Sequence, residues 1–210
     1  MGHSKVDKAD SHERILDVAA RRFRERGFNG VGLAELMDEA GLTIGGFYKH
    51  FASRDVLVAE ATARAFNSVN QRLAKVMPDA PHARFEAFLD AYLAASHRDD
   101  PGSGCVVATL AMDAARNPAA REVFAAHFHD IADQMAALLS LSGKDGRARG
   151  AAVIAAMAGA VAVARAVDDK KLSDEILDAA RRLIISAVST DAKKATAKVK
   201  RHPDVRRRGS

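Results

Sequence analysis

LAELMDEAGLTIGGFYKHF, residues 33–51, holds two short helical segments and the turn between them. Leu33, Leu36, Met37 and Ala40 recur at the i, i+3, i+4, i+7 spacing of one helix face, so the first segment buries a single stripe. Gly41 ends it, because a glycine just past the last apolar turn takes the left-handed conformation that closes a helix. Thr43 stands where a hydroxyl caps the N–H groups of a second helix, Ile44 to Phe51. Only Gly41 to Thr43 remain as the connection, which sets the two helices at the steep crossing of a helix-turn-helix.

The second segment carries Gly45 and Gly46 in its first turn, each costing about 1 kcal/mol relative to alanine. Close approach to another surface offsets such a cost. A helix end without side chains brings its N–H groups and its partial positive charge against phosphates. Phe47 and Phe51 anchor the inner side, while Tyr48, Lys49 and His50 turn outward. They offer a phenol, a fixed charge and an imidazole, all suited to phosphate or base-edge contacts. A glycine-weakened helix with a solvated polar face accounts for any one of these residues, but the ordered set favours nucleic acid. Ile44 either touches a thymine methyl or packs inward.

The run Arg22-Phe23, Gly27-Phe28, Leu36, Ala40-Gly41-Leu42-Thr43, Gly45-Gly46-Phe47-Tyr48-Lys49-His50-Phe51, Ser53-Arg54 and Leu57 resembles the N-terminal DNA-binding domain of TetR-type (TetR/AcrR) transcriptional regulators. The resemblance implies an all-α fold, with an N-terminal three-helix helix-turn-helix domain followed by a larger helical ligand-binding and dimerisation domain. It also implies a homodimer on a palindromic operator, released when a small molecule or electrophile reaches the C-terminal domain. Carried over by position, Thr43, Gly46, Tyr48, Lys49 and His50 are recognition-helix contacts, with Ile44 and Gly45 among them, and Arg54 is a phosphate contact opening the next helix. Val31-Gly32 stands where the family usually carries Thr-Ser or Thr-Thr, so Gly32 is a DNA-facing position without a hydroxyl.

Alanine dominates the 210 residues, aromatics are 5%, and runs of β-branched residues with period two are hard to find, which makes the class all-α. No Arg-rich region followed by an apolar run opens the chain, and the charge-free run Ala151 to Ala164 falls short of a bilayer span. A single cysteine excludes an intramolecular disulfide, and the expected compartment is the cytoplasm. The net charge of +5 is concentrated at one end. Residues 191–210 hold eight Lys or Arg against two Asp, a net of +6, so residues 1–190 sum to −1. The expected organisation is a flexible arm over 1–10, the helix-turn-helix domain over 11–53, the sensing and dimerisation domain over 54–190, and a basic disordered tail over 191–210. Such a tail adds salt-sensitive attraction to nucleic acid or merely solubilises the end. The alternative function is therefore a nucleoid-type protein that binds DNA non-specifically through that tail.

Asp10 or Ser11 caps a first helix to about Arg26, with Leu16, Ala19, Ala20 and Phe23 as its buried face and Phe28 plugging the core beyond it. The arginines of its second half, Arg21, Arg22, Arg24 and Arg26, suit the helix dipole, a nearby phosphate or plain solvation. Ser53 caps a long helix toward Met77, and Arg84 to about His97 forms the next. Cys105 follows the loop RDDPGSG, at or just before another helix start. A thiol there meets one condition of an electrophile or oxidant sensor, and equally is a small buried apolar residue. Asn117-Pro118 is a cap followed by a first-turn proline, opening a helix to about Leu141. Phe66, Phe85, Phe88, Tyr92, Cys105, Met112, Phe124 and Phe128 are the candidates for an apolar ligand pocket, or ordinary core. His127 and His129, two apart on a helix, point to different faces, so no metal or other cofactor is expected. No phosphate-cradling loop or nucleophile motif is present, and the chain does not read as an enzyme.

Two helices end the fold, Gly146 to about Val167 and Ser173 to about Val188. A helix apolar nearly all round must be covered on every side, and small residues let a partner helix come close. Ala155, Met157, Gly159, Val161, Ile176, Leu177, Ala180, Leu183 and Ile184 are the dimer-interface candidates, a two-fold pair of helix pairs making the contact.

Overall fold

Helical periodicity and alanine-rich composition produce an all-helical chain. The structure is a computed structural model that describes residues 5–76, 81–141 and 143–200, with side chains over 7–68, 83–141 and 143–189. Among the described residues there are α1 (Lys5–Arg26), α2 (Leu33–Glu39), a 3-10 helix (Ile44–Lys49), α3 (Arg54–Val76), α4 (Pro81–Tyr92), α5 (Ala95–Asp99), α6 (Val106–Arg116), α7 (Pro118–Leu138), α8 (Gly143–Ala166) and α9 (Lys170–Lys200).

Several boundaries follow the chemistry of the caps. The Asn117 side chain accepts from Ala120 N–H at 2.9 Å with Pro118 behind it, and Ser53 Oγ accepts from Val56 N–H at 3.2 Å. Other boundaries differ from the sequence reading. Helix α1 begins at Lys5, inside the stretch expected to be a flexible arm, where Lys and Ala favour helix and Asp7 complements the N-terminal dipole. The segment Arg84 to His97 is two helices, interrupted at Leu93 and Ala94. Helix α9 begins at Lys170, because Asp169 rather than Ser173 supplies the cap, accepting from Lys171 and Leu172 N–H at 2.9 and 3.2 Å. Ser173 is buried instead and donates to the Ala164 carbonyl at 2.6 Å. At its other end α9 runs to Lys200, through ten residues assigned to the disordered tail. Ala192, Ala195, Ala197 and the lysines among them are strong helix formers, and their propensity carries the helix on after the apolar pattern has ended. The remaining tail, 201–210, lies outside the described residues.

Among the described residues two hydrophobic clusters form the interior. The first joins Leu16, Phe23, Phe28, Leu36, Met37, Phe47 and Phe51 to Leu57, Val58, Ala61 and Ala65 of α3 and to Val106, Leu110 and Ala114 of α6. Phe28 packs edge-on against Phe23 at 5.4 Å, the plug expected of it. The helix-turn-helix head is therefore seated on α3 and α6, with no packing boundary at residue 53. The second cluster gathers Phe85, Leu89, Met135, Ile154, Met157, Val161, Leu177 and Ile184 from α4, α7, α8 and α9.

Helix α8 is long and apolar enough, by length and composition alone, to cross a membrane, although its charge-free run is short. It packs against α7 and α9 in the second cluster. Gly150 makes the α7 crossing close, since a Cβ there would stand 2.3 Å from the Ala132 carbonyl oxygen.

Candidate nucleic-acid interface

Leu36 and Met37 are fully buried and hold α2 against the first cluster. At its end Gly41 takes φ +72°, Gly41 N–H donates to Asp38 O and Leu42 N–H to Met37 O, both at 2.9 Å. These paired bonds close the helix in the left-handed glycine motif that the sequence suggested. The following segment is a 3-10 helix over Ile44–Lys49, and Phe51 lies beyond it. Two glycines in six residues leave too little helix propensity for a full α-turn, and the tighter coil suits a short piece. Thr43 is the residue before this helix but makes no side-chain cap bond, contrary to expectation.

The glycine-rich end is open. A Cβ at Gly32, Gly41 or Gly45 would meet nothing within 4 Å, and one at Gly46 brushes Met37 Cε at 3.9 Å and Thr43 Oγ1 at 4.0 Å. Phe47 is fully buried and stacks at 5.6 Å on Phe51, which fixes the segment from behind. Tyr48 is 75% exposed and Ile44 55% exposed, so Ile44 points outward rather than into the core. Thr43 and Lys49 are exposed beside them.

The geometry turns one expected contact, Arg54, inward and partly shields another, His50. Arg54 Nη2 donates to the carbonyls of Phe28 and Val31 at 2.6 and 2.8 Å, and its guanidinium lies 5.9 Å from the Phe23 ring centre. It holds the α1–α2 connection in place instead of waiting for a phosphate. His50 is only half exposed, with Nδ1 shielded and without a partner. Burial first, then the charges of His12, Lys8 and Lys49, hold its pKa below the usual 6.5. The arginines late in α1 are also engaged: Arg22 with Glu25 and Glu39 at 2.7 and 2.6 Å, Arg21 with Glu25, Arg26 with Glu35, while Arg24 is buried.

The aromatic ligand-pocket candidates divide between the two clusters, which Phe124 and Phe128 join by stacking at 6.1 Å. Phe66 and Phe124 meet edge-on at 5.4 Å within the first cluster, where Phe66 also stacks on His127. Phe85, Phe88, Tyr92 and Phe128 belong to the second. Met112 is 63% exposed and is removed from the set, because α6 buries its Val106, Leu110, Ala114 face and residue 112 falls on the other side. Cys105 is buried as the residue preceding α6. A shallow groove of about 320 Å³ lies elsewhere, lined by Asp90, Leu93, Asp174, Leu177, Asp178 and Arg181 among others.

The structure surrounds Cys105 and Tyr92 with two residues that the sequence did not single out. His97 Nε2 accepts from Cys105 N–H at 3.0 Å, and His97 Nδ1 donates to the Tyr92 carbonyl at 2.6 Å. Arg165, the charge that ends the apolar run of α8, donates through Nε and Nη2 to the carbonyls of Arg98 and His97 at 2.7 and 2.8 Å. Arg165 Nη1 is shielded with no hydrogen-bond partner, and the shielded Tyr92 hydroxyl has the Cys105 thiol as its hydrogen-bonding neighbour.

The dimer-interface candidates divide by helix face. Met157, Val161, Leu177 and Ile184 are buried within the chain, which removes them from any surface. Ala155, Gly159 and Leu183 are exposed, Leu183 at 69%, and Ile176 and Ala180 half exposed. With Ala152, Ala156 and Val163 on α8 and Leu172 and Ala179 on α9, the exposed positions make an apolar stripe on each helix.

Sequence patterns of known families match most of this chain. That of the bacterial regulatory proteins of the tetR family matches residues 15–61, and that of the transcriptional regulator LmrA/YxaF-like C-terminal domain matches residues 81–181. HTH-type transcriptional regulator LmrA of Bacillus subtilis (strain 168) is 34% identical over 83 residues, which are 38% of this chain and 44% of LmrA. HTH-type transcriptional repressor NemR of Escherichia coli (strain K12) is 30% identical over 74 residues, 35% of this chain and 37% of NemR. The matched stretch thus spans less than half the length of these curated relatives. In three dimensions the reduced form of E. coli NemR superposes with a TM-score of 0.69 at 22% identity, over 83% of this chain and 95% of the other. A TetR transcriptional regulator from Chloroflexus aurantiacus J-10-FL superposes with a TM-score of 0.70 at 26% identity, over 88% and 96%.

Proposed function

Because the chain belongs to the TetR family of transcriptional regulators, we propose that it binds operator DNA as a homodimer and represses transcription until a small molecule enters its C-terminal half. The observation that carries this reading is the open end of the 3-10 helix. Gly45 and Gly46 leave its backbone bare, Phe47 locks it from behind, and Ile44, Tyr48 and Lys49 stand outward around it. Backbone N–H groups and Lys49 suit phosphates, and Ile44 suits a thymine methyl. The role of Thr43 is contact with DNA rather than capping.

One such head is too small to specify a site. Two-fold pairing places two heads about 34–36 Å apart, one turn of duplex, on a palindrome. The exposed small-residue stripe of α8, with Leu172, Ala179 and Leu183 on α9, supports pairing through these helices, because such a surface is costly to leave in water. Effector and operator then favour different spacings of the heads, and each weakens the other's binding by the same factor.

Footprinting on the chain's own upstream DNA, with native mass of the protein and its complex, tests this. The expected result is a protected pseudo-palindrome bound by an even number of chains. A chain ending at residue 189 keeps that footprint in this reading and loses DNA binding if the basic tail is the binding element. A monomer beside protected DNA, or no protection at all, overturns the proposal.

A further inference from the structure

Helix α9 starts beside the part of the chain that touches the reading head, and it runs away from it. Ser173 in its first turn lies against the Ala164 carbonyl and accepts from Arg98 Nη1 at 2.9 Å. Arg165 binds the carbonyls of Arg98 and His97, His97 holds Cys105 N–H, and the next carbonyl back, that of Gly104, accepts from Arg24 of α1. At the other end Ile184, Ile185 and Val188 pack into the second cluster, and the helix continues to Lys200. Counting equally from the Ser173–Ala164 contact, forward along α9 and back along α8, brings Lys194 level with Gly143, the first residue of α8. That level is about 30 Å from Ser173 at 1.5 Å per residue, and Lys200 stands about 9 Å further out.

The positive charge of the chain is gathered at this far end. Residues 1–190 sum to −1, while Lys193, Lys194, Lys198 and Lys200 against Asp191 give residues 190–200 a net +3. Lys144, Asp145, Arg147 and Arg149 are exposed in the first turns of α8 at the same level, Arg147 being paired with Asp133 at 2.6 Å. Charges in solution are screened over about 8 Å at physiological salt, so the far end of α9 does not feel phosphates held at the 3-10 helix. A row of cations there calls for a polyanion of its own. Duplex DNA, with one negative charge per about 1.7 Å, has that character. A bilayer surface fits less well, because Val199 is the one apolar residue larger than alanine among residues 190–200, too little to enter lipid beside the cations.

We propose that the distal end of α9, residues 190–200, is a second nucleic-acid surface, which takes a separate DNA duplex by its phosphates and without sequence preference while the reading heads hold the operator. Binding of a duplex there stands on the charge and its place in the fold. The joining of two duplexes rests on the regulator reading, since a two-fold pair with both heads on one operator carries both basic ends on its opposite side. The protein then links its operator to neighbouring DNA, and a lone operator gains nothing from the basic end.

The test compares the full chain, a chain ending at residue 189, and a full-length variant combining Lys193→Ala, Lys194→Ala, Lys198→Ala and Lys200→Ala, in which alanine preserves helix propensity. Circular dichroism checks that each is folded. The footprinted upstream duplex is fixed to a surface, loaded with protein, and offered a fluorescent duplex of scrambled sequence or, separately, vesicles of phosphatidylcholine with phosphatidylglycerol. The full chain is expected to retain the scrambled duplex and to lose it between about 50 and about 200 mM salt, and both altered proteins to retain at least about ten-fold less. Affinity for the operator alone, read by fluorescence anisotropy, is expected to agree within about two-fold among the three, with one salt slope. Retention by either altered protein at the level of the full chain overturns the proposal. So does no retention by the full chain, or retention of vesicles without duplex. A weaker operator affinity with a shallower salt slope on truncation overturns it as well, because the basic end would then lie on the operator itself. If none of the proteins binds the operator, the scrambled duplex is titrated in solution: salt-sensitive binding that needs the four lysines supports the surface and overturns the regulator reading alone.

Discussion

Arg24 Nη1 donates to the carbonyl of Gly104 at 3.3 Å, across 80 residues of sequence, and ties the last turns of α1 to the loop in front of α6. Its Nε donates to Ala20 O at 3.0 Å, so the buried guanidinium is directed by its own helix. At the other end of α6 the Asp113 carboxylate accepts from Phe28 N–H at 3.2 Å, just past the close of α1. Helix α6 and its leading loop thus grip the head at two points. A shift of α6 changes both contacts at once, which is the kind of differential interaction a ligand needs in order to bias two states.

Replacing Arg24 by methionine keeps the aliphatic packing and removes both donors. The Gly104 carbonyl then loses this partner inside the protein, and urea denaturation should show a loss of about 1–3 kcal/mol. Combining it with Asp113→Ala should give a non-additive total, because both contacts restrain the same head on the same helix. Additive losses would mean that the two grips act independently and that α6 does not move as one body.

Tyr48→Ala with Lys49→Ala should abolish specific DNA binding in a fluorescence anisotropy titration. Both side chains are exposed, so stability should change by no more than about 0.5 kcal/mol. Lys49→Ala alone should reduce the slope of log affinity against log salt by about one per chain. Retained affinity in the double variant would move the interface away from the 3-10 helix.

Much of the reading head was legible because its signals are local. Gly41 needs a positive φ, Leu36 and Met37 need one buried face, and Phe47 with Phe51 needs a core behind the glycines. Those demands are written within a few residues of each other. Arg54 misled because an arginine at a helix start serves a phosphate and a backbone carbonyl equally well, and the carbonyls of Phe28 and Val31 are more than twenty residues away. Helix α8 hid its orientation for a different reason. With apolar residues on every side, periodicity cannot tell Met157, which is buried, from Gly159, which is open. Arg24 reads in the sequence as one of a row of outward arginines and His97 carries no signal, since their partners are backbone atoms brought close only by the fold.

The two glycines of α8 turn that ambiguity into a measurement. Gly150→Ala drives a Cβ into the Ala132 carbonyl, 2.3 Å away, and the α7 backbone must shift. A loss of about 1–3 kcal/mol is expected in thermal or urea unfolding. Gly159→Ala meets nothing within 4 Å in the single chain, so the gain in helix propensity, up to about 1 kcal/mol, should appear in a dilute monomer. If a partner helix lies against it, the same change should weaken self-association in sedimentation experiments. Leu183→Glu should do so more strongly. An unchanged sedimentation profile for both variants would place the dimer contact elsewhere.

His50 offers a test of pH dependence in which stability and DNA affinity move in opposite directions. Its folded pKa lies below 6.5, chiefly through burial, so the unfolded chain takes up the proton at higher pH than the folded one does. The stability this group contributes is complete above 6.5 and is lost as pH falls through 6.5 and then through the depressed folded value. Thermal melts from about pH 7.5 to about 5.5 should show that decline, and His50→Gln should flatten part of it. A phosphate placed near the ring acts the other way, since an anion within a few ångströms favours the imidazolium. If His50 belongs to the DNA contact, binding takes up a proton, and affinity at constant salt should rise over the same fall in pH in the wild type more than in His50→Gln. Equal pH dependence in the two proteins would leave His50 as a packing residue beside His12, and reduce the contact set to Thr43, Ile44, Tyr48, Lys49 and the bare backbone of the glycines.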